Sequence, residues 1–353
     1  MTLLKFDGFE GYSSPSNAVG KGGIINSLSY SVWSYQTGRN GGKCLRFKSN
    51  NLYPGRLYLN FATIPNTRTA ILGFAVKFTG GFESQTDTAS PFLQFGNSTS
   101  NRFILTHDSN GNLGFGPWVN YYRVYDTVKL ESNRWYYMEI KYKCHNTEGI
   151  AQFRLDEQLL MDYSGDTYYT GGSSTGYCEI RLKDDYANGS QYNELDDMYL
   201  ADTEGTENND FLGNVRIDTI HPNGAGNYTQ LTPSAGNNYE CVDETGYSSS
   251  DYVEGANAGE KDSYTYGSVP TDLDDTGIYA LQIRQNCKRT APATNIKIDP
   301  FLRTGSTDYS QTAQDLSDGF TEKQGDIVIE DPSDSNPWTQ AKINACEFGM
   351  EVA

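Results

Sequence analysis

Positive charge is scarce in this chain. Its 353 residues carry 27 Lys and Arg against 45 Asp and Glu, a formal net charge of −18. Such a chain offers no electrostatic footprint for nucleic acid, whose binding rests on neutralising phosphates. The same balance repels anionic membrane surfaces, and no apolar run approaches the roughly 20 residues needed to span a bilayer. The expectation is a soluble protein with neither nucleic acid nor membrane insertion among its partners. Histidine is limited to His107, His145 and His221, in separate segments, which gives no basis for a multi-His metal site or a Ser-His-Asp triad. The cysteines Cys44, Cys144, Cys178, Cys241, Cys287 and Cys346 contain no CxxC pair, which removes the common zinc and thioredoxin-like patterns. The opening MTLLKFDGFEGY lacks the small-residue cleavage site of a secretory signal, so synthesis in a cytoplasm is expected. Long runs of Ala, Leu, Glu and Lys, the material of helices, are also missing.

What is abundant is glycine, with 36 residues, and tyrosine, with 26, in a chain that is 13% aromatic. Short aromatic strands joined by turns follow from that composition, so the fold class is all-β. Strand signals recur at regular spacing through the first 200 residues. AILGFAVKFTG offers Leu72, Phe74, Val76 and Phe78 on one face with period two. Asp108-Ser109-Asn110-Gly111 marks a hairpin turn, and Asp156-Glu157-Gln158 a second one. In NELDDMYLAD, alternation pairs Leu195 with Asp197 and Asp196 with Met198. Beyond Gly213, Val215, Ile217 and Ile220 read as a strand, and the sequence to about 275 is polar and loop-like. Strands resume at Tyr279 to Ile283, Ile296 to Ile298 and Cys346 to Val352. The expected domains are a sandwich over 1–203, a linker over 204–213 and a smaller, loop-rich β domain over 214–353.

Three groups of residues bear on chemistry. Glu194 and Asp196 supply two of the three acids that a sandwich glycosidase arranges along one strand, but Met198 and Tyr199 stand where the third is needed. No catalytic residue is therefore assigned, and the acids read by default as edge-strand or solvent-facing groups. Asp184, Asp185, Asp196, Asp197 and Asp202 have the oxygen chemistry for calcium, without EF-hand spacing. Calcium is the one cofactor such residues would suit. Trp118, Tyr121, Tyr122 and Tyr125, with Tyr168 and Tyr169, place rings in or beside loops, where they suit sugar faces as well as subunit contacts. The cysteines read mainly as buried reduced thiols, with Cys144 and Cys178 the first pair to consider for a disulfide.

NRWYYMEIKYKCHN led by Trp135, the strand ending Leu155-Asp156, a short turn, a second apolar strand and the late Leu195-Asp196-Asp197 strand together resemble the laminin-G-like, or concanavalin-A-like, jelly-roll family over about 1–203. The turn that family often writes Asp-Gly is Asp156-Glu157 here, so a different turn type is expected. The ending Asn336, Pro337, Trp338, Thr339, Ala341, Glu347, Phe348 and Gly349, with the blocks before it, resembles structural proteins of tailed-bacteriophage virions. That resemblance implies a non-enzymatic virion component, homo-oligomeric and partnered with other virion proteins, the second domain serving docking or oligomerisation. The alternative is an adhesion module that binds host surface glycans, and less so a glycoside hydrolase.

Overall fold

The computed structural model describes residues 3–18, 24–29, 31–49, 55–59, 69–80, 82, 92–96, 102–117, 124–168, 179–184, 192–246, 248–270, 277–290 and 296–353. The chain divides into two compact units, Met1–Asp218 and Thr219–Ala353. The described part of the first is built from β1 (Leu3–Asp7), β2 (Ile25–Ser29), β3 (Ser31–Thr37), β4 (Lys43–Ser49), β5 (Gly55–Leu59), β6 (Ala70–Thr79), β7 (Leu93–Gly96), β8 (Arg102–His107), β9 (Asn112–Pro117), β10 (Val124–Lys129), β11 (Trp135–Lys143), β12 (Gly149–Leu155), β13 (Gln158–Gly165), β14 (Glu179–Asp184) and β15 (Tyr192–Asp202). These strands form two antiparallel sheets. One runs β13-β12-β11-β6-β15-β4-β3, with β1 also on β15, and the other β10-β9-β8-β7-β14-β5-β2. The all-β sandwich follows directly from the alternation. Leu72, Phe74, Val76 and Phe78 of one sheet share a buried core with Phe95, Phe103, Leu105 and Phe115 of the other. Cross-sheet ring contacts, such as Phe115 to Phe153 at 4.8 Å between centroids, fill the space between the layers.

Two local departures from plain alternation shape one outer face of the sandwich. The turn between β12 and β13 has φ of 46° at Asp156 and 68° at Glu157, with Leu155 paired to Gln158. That is the two-residue hairpin geometry an Asp-Gly pair would adopt, so the expected change of turn type does not occur. Asp156 Oδ1 accepts from the Tyr137 N–H at 2.8 Å, and the Asp156 N–H donates to the Tyr137 carbonyl at 2.8 Å, which holds the conformation without a glycine. In β15 the register to β6 slips between Asp196 and Tyr199, with Asp197 at φ 47°. This bulge sends Leu195, Met198 and Leu200 into the core, where strict alternation would have put Leu195 and Asp197 on one side. β15 lies between β6 and β4, a central strand, not the edge strand expected.

The second unit carries a sheet in the order Pro222–Thr229, Lys261–Tyr266, Glu347–Val352, Lys297–Thr304, Thr307–Ser310, with Gln314–Asp315 also on Lys297–Thr304. Its core is small: Val269, Leu302, Trp338, Ile343, Cys346 and Phe348. Residues of the ending singled out in the sequence have structural duties here. Trp338 is buried and its Nε1–H donates to the Val328 carbonyl at 3.0 Å. Thr339 caps the helix Gln340–Ala345 by accepting from the Lys342 N–H at 3.2 Å. A Cβ at Gly349 would lie 2.7 Å from the Phe301 ring, so that ring packs on bare backbone. Among the described residues no helix is long and apolar enough to cross a membrane.

Candidate functional site

Two outer faces flank the sandwich, and they differ in chemistry. On the eight-stranded sheet, the β15 bulge brings Asp196 and Asp197 to the same side, beside the turn between β3 and β4. Arg39 of that turn gives its N–H to Asp196 Oδ2 at 2.8 Å and its guanidinium to Asp197 Oδ2 at 2.8 Å. Asp196 Oδ1 accepts the Asp197 N–H at 2.9 Å. Glu194, next along the strand, accepts from Arg46 Nε at 2.7 Å and lies 2.6 Å from Lys77 Nζ. Glu10, from the loop after β1, completes the group because glycines leave room for it. A Cβ at Gly8 or at Gly42 would fall 2.4 Å from one of its carboxylate oxygens. Glu10 Oε2 is buried without a hydrogen-bond partner. Burial first, and then the negative charge of Asp196, push the Glu10 carboxyl up to about 9. Burial and the charge of Asp197 push Asp196 up to about 7, against the pull of the Arg39 and Asp197 amides. Burial also raises Asp197, opposed by Arg39.

This constellation does not make a hydrolase site. Glu194 is 0% and Asp196 2% exposed, so neither can meet a polysaccharide, and neither faces solvent as the default reading had them. Nor do the acids assemble around a cation. Among the described residues no group of three or more His, Cys, Asp or Glu is arranged to hold a metal ion. The oxygens of Asp196 and Asp197 that calcium would need are taken by Arg39 and by backbone amides. Asp202 accepts the Glu204 N–H at 3.0 Å, Asp184 ends β14, and Asp185 lies outside the described residues.

The segment expected as a linker covers this same face. Asp210 pairs with Lys141, and the Phe211 ring lies 4.3 Å from the Arg154 guanidinium carbon and 4.8 Å from Lys141 Nζ. The Leu212 N–H donates to the Tyr199 hydroxyl at 3.1 Å and the Gly213 N–H to Glu139 Oε1 at 2.9 Å. The Asn214 N–H reaches Glu157 Oε1 at 3.3 Å and the Ile217 N–H reaches Asp197 Oδ1 at 2.7 Å. The expected strand at Val215 and Ile217 is absent: the Ile217 amide is taken by Asp197, and the Val215 N–H donates to the Gly213 carbonyl at 2.9 Å. Residues 204–218 are therefore a strap hydrogen-bonded onto the first unit, and they fill its eight-stranded outer face.

The seven-stranded sheet presents a different surface. Phe95 pairs with Phe103 and Leu105 with Phe115, all in the core, so Gln94, Ile104, Thr106, Gly114 and Gly116 occupy the opposite side. Gln94, Ile104 and Thr106 are nonetheless only 7%, 1% and 7% exposed, so the centre of this face is closed to solvent. Ser27 pairs with Tyr58 in this sheet, and Tyr125 with Gly114 at its other end.

Of the ring residues singled out in the sequence, Trp118, Tyr121, Tyr122 and Tyr169 lie outside the described residues. Tyr168 is half-buried, its N–H donating to Asp166 Oδ1 at 2.9 Å. His107 is buried among Phe78, Phe82 and Phe92, with ring centroids 5.1 to 5.6 Å away, and burial lowers it to about 4. Nδ1 of His145 accepts the Glu148 N–H at 2.8 Å in a turn. Cys144, expected to pair with Cys178, donates from its Sγ to the Thr167 carbonyl at 3.8 Å, and Cys178 lies outside the described residues. Glu10 and Arg39 were missed by the sequence reading. Their signals were the glycine pairs around them, in DGFEG and GRNGG.

No family model matches the chain, and no curated protein matches it. Solved structures do. A carbohydrate esterase from Shiga toxin-encoding bacteriophage phi24B matches at 12% identity and TM-score 0.40, over 56% of this chain and 98% of that one. The alginate lyase vAL-1 from Chlorella virus matches at 9% and 0.36, over 50% and 91%. Domain 4 of AbnA, an extracellular arabinanase from Geobacillus stearothermophilus in complex with arabinotriose, matches at 11% and 0.37, over 57% and 93%. One expectation is corrected by these matches. The chain read from its sequence as non-enzymatic has an esterase and a lyase among its structural matches, so catalysis is not set aside. The matches do not bear on a virion origin, on oligomerisation or on localisation.

Proposed function

We propose that the first unit binds a polysaccharide on the seven-stranded side of its sandwich. The observation that carries this reading is the asymmetry of the sandwich. One outer face is filled by ion pairs and the strap, which leaves the other side for a ligand. A glycan array probed with the full chain tests the reading. Retention on at least one polysaccharide is expected, with reaction products analysed alongside to register any cleavage. No retention on any glycan would remove the proposal.

A further inference from the structure

We infer that Asn40-Gly41 is a site of spontaneous modification, where the asparagine side chain loses its amide to the backbone and the product loosens one end of the strap. The turn between β3 and β4 reads Gly38-Arg39-Asn40-Gly41-Gly42 and is closed by the Gly38 N–H, which donates to the Gly42 carbonyl at 2.9 Å. Gly41 has φ 91°, and a Cβ there would meet nothing within 4 Å. That left-handed conformation calls for glycine. The turn therefore places an unhindered backbone nitrogen directly after an exposed carboxamide. In the reaction the Gly41 nitrogen bonds to Cγ of Asn40, the Cγ–Nδ2 bond breaks, and the proton of that nitrogen leaves with the amide as ammonia. A five-membered succinimide results. Water adds to one of its two carbonyls and opens the ring to aspartate, or to isoaspartate, whose main chain runs through the side-chain carboxyl. Both reacting groups are held in one turn, so the step needs no enzyme, cofactor or oxidant.

The structure separates this pair from the other Asn-Gly pairs among the described residues, Asn110-Gly111 and Asn223-Gly224. Gly41 is exposed, and its N–H reaches the Gly38 carbonyl only at 3.5 Å. The Asn40 amide is also loosely held, since Nδ2 donates to Asp197 Oδ2 at 3.4 Å. Gly111, in contrast, is buried. Its N–H donates to the Asp108 carbonyl at 3.0 Å, and its own carbonyl accepts the Leu130 N–H at 2.8 Å. Gly224 lies in the strand Pro222–Thr229, paired with Thr265, and Asn223 Oδ1 accepts from the Thr265 hydroxyl at 3.2 Å. Ring closure at either of these sites would have to break such contacts first.

The consequence runs through Arg39. Its N–H donates to Asp196 Oδ2 at 2.8 Å, and its guanidinium holds Asp197 together with the Asn214 side-chain oxygen and the Val215 carbonyl of the strap. Conversion of Asn40 replaces a donor to Asp197 with a second anion beside it. Isoaspartate also lengthens the main chain by one carbon inside the turn that Gly38 and Gly42 close, which draws the Arg39 backbone off its partners. Asn214 to Ile217 therefore loosens. Phe211 to Gly213 is held instead by Arg154, Tyr199 and Glu139 and keeps its contacts.

The full chain, kept for several weeks at physiological temperature and neutral pH, is analysed by peptide mapping, by isoaspartate-directed enzymatic methylation and by hydrogen–deuterium exchange. The expected result is a mass gain of about one dalton at Asn40 ahead of any at Asn110 or Asn223, with isoaspartate in the same peptide. Exchange at Asn214 to Ile217 should become about tenfold faster in the converted chain, with Phe211 to Gly213 little changed. Asn40→Gln, whose ring would have to be six-membered, should resist conversion and keep slow exchange throughout. Asn40→Asp should show faster exchange at Asn214 to Ile217 from the start, and its unfolding transition certifies that it is folded. An unconverted Asn40, or conversion of Asn110 or Asn223 ahead of it, would overturn the assignment. Complete conversion with exchange at Asn214 to Ile217 unchanged would overturn the link to the strap.

Discussion

A chain carrying Gly73→Ala should have the unfolding of its first unit destabilised by about 3 kcal/mol, at the upper end of what overpacking usually costs. Gly73 sits in the central strand β6 opposite Tyr199, and a Cβ there would lie 2.0 Å from Cε1 of the Tyr199 ring and 2.7 Å from its Cζ. The ring cannot swing clear. Tyr199 is fully buried, its hydroxyl donates to Glu139 Oε1 at 2.6 Å, and the same hydroxyl accepts the Leu212 N–H of the strap. Displacing it would leave the buried Glu139 carboxylate with fewer donors and loosen the strap, so the cost exceeds that of a methyl in an adaptable core. Thermal or denaturant unfolding of the two chains measures it. A midpoint within about 1 °C of the parent, where a 1 kcal/mol change moves a domain of this size by a few degrees, would show that the ring does not pin this strand.

Raising the pH from 7 to 9 should also destabilise the first unit, contrary to the usual behaviour of structures held by ionised carboxylates. Glu10 is raised to about 9 in the folded chain, by burial and by the charge of Asp196. Between its ordinary value and about 9 the folded state binds a proton that the unfolded state has lost. Stability from this group is therefore complete below the ordinary carboxylate range and drains away as pH climbs through that window. The slope is about 1.4 kcal/mol per pH unit while Glu10 alone is responding. Asp196, raised to about 7, adds to the loss below neutrality. His107, lowered to about 4 by burial, acts in the opposite sense as pH falls below its ordinary value, which is why pH 7 to 9 is the cleaner interval. Glu10→Gln, neutral throughout, should flatten the profile there and leave the variant the more stable chain at pH 9. Comparing the two chains cancels contributions common to both, the half-buried ammonium of Lys5 among them. A parent profile that is flat or rising between pH 7 and 9 would contradict the buried, proton-bearing state of Glu10.

Much of the architecture could be read from residues, because a sandwich writes its core in period two. Leu72, Phe74, Val76 and Phe78 are an example, all buried on one side of β6. What could not be read depended on geometry that alternation does not encode. The bulge at Asp196 to Tyr199 reverses the faces that simple counting assigns after Leu195. The strap looked like a strand because Val215 and Ile217 are apolar, yet its amides pair with side chains from the sheet. Arg39 and Asp196 stand 157 residues apart in sequence, and neither announces the other.

Polysaccharide binding on the seven-stranded sheet is tested most directly by hydrogen–deuterium exchange on the full chain, with and without a saturating amount of the polysaccharide that binds most tightly. Slowed exchange in Leu93–Gly96, Arg102–His107 and Glu179–Asp184, with residues 204–218 and the second unit unchanged, is the predicted result. Slowing confined to 204–218 or to Thr219–Ala353, with those three strands unaffected, would contradict it.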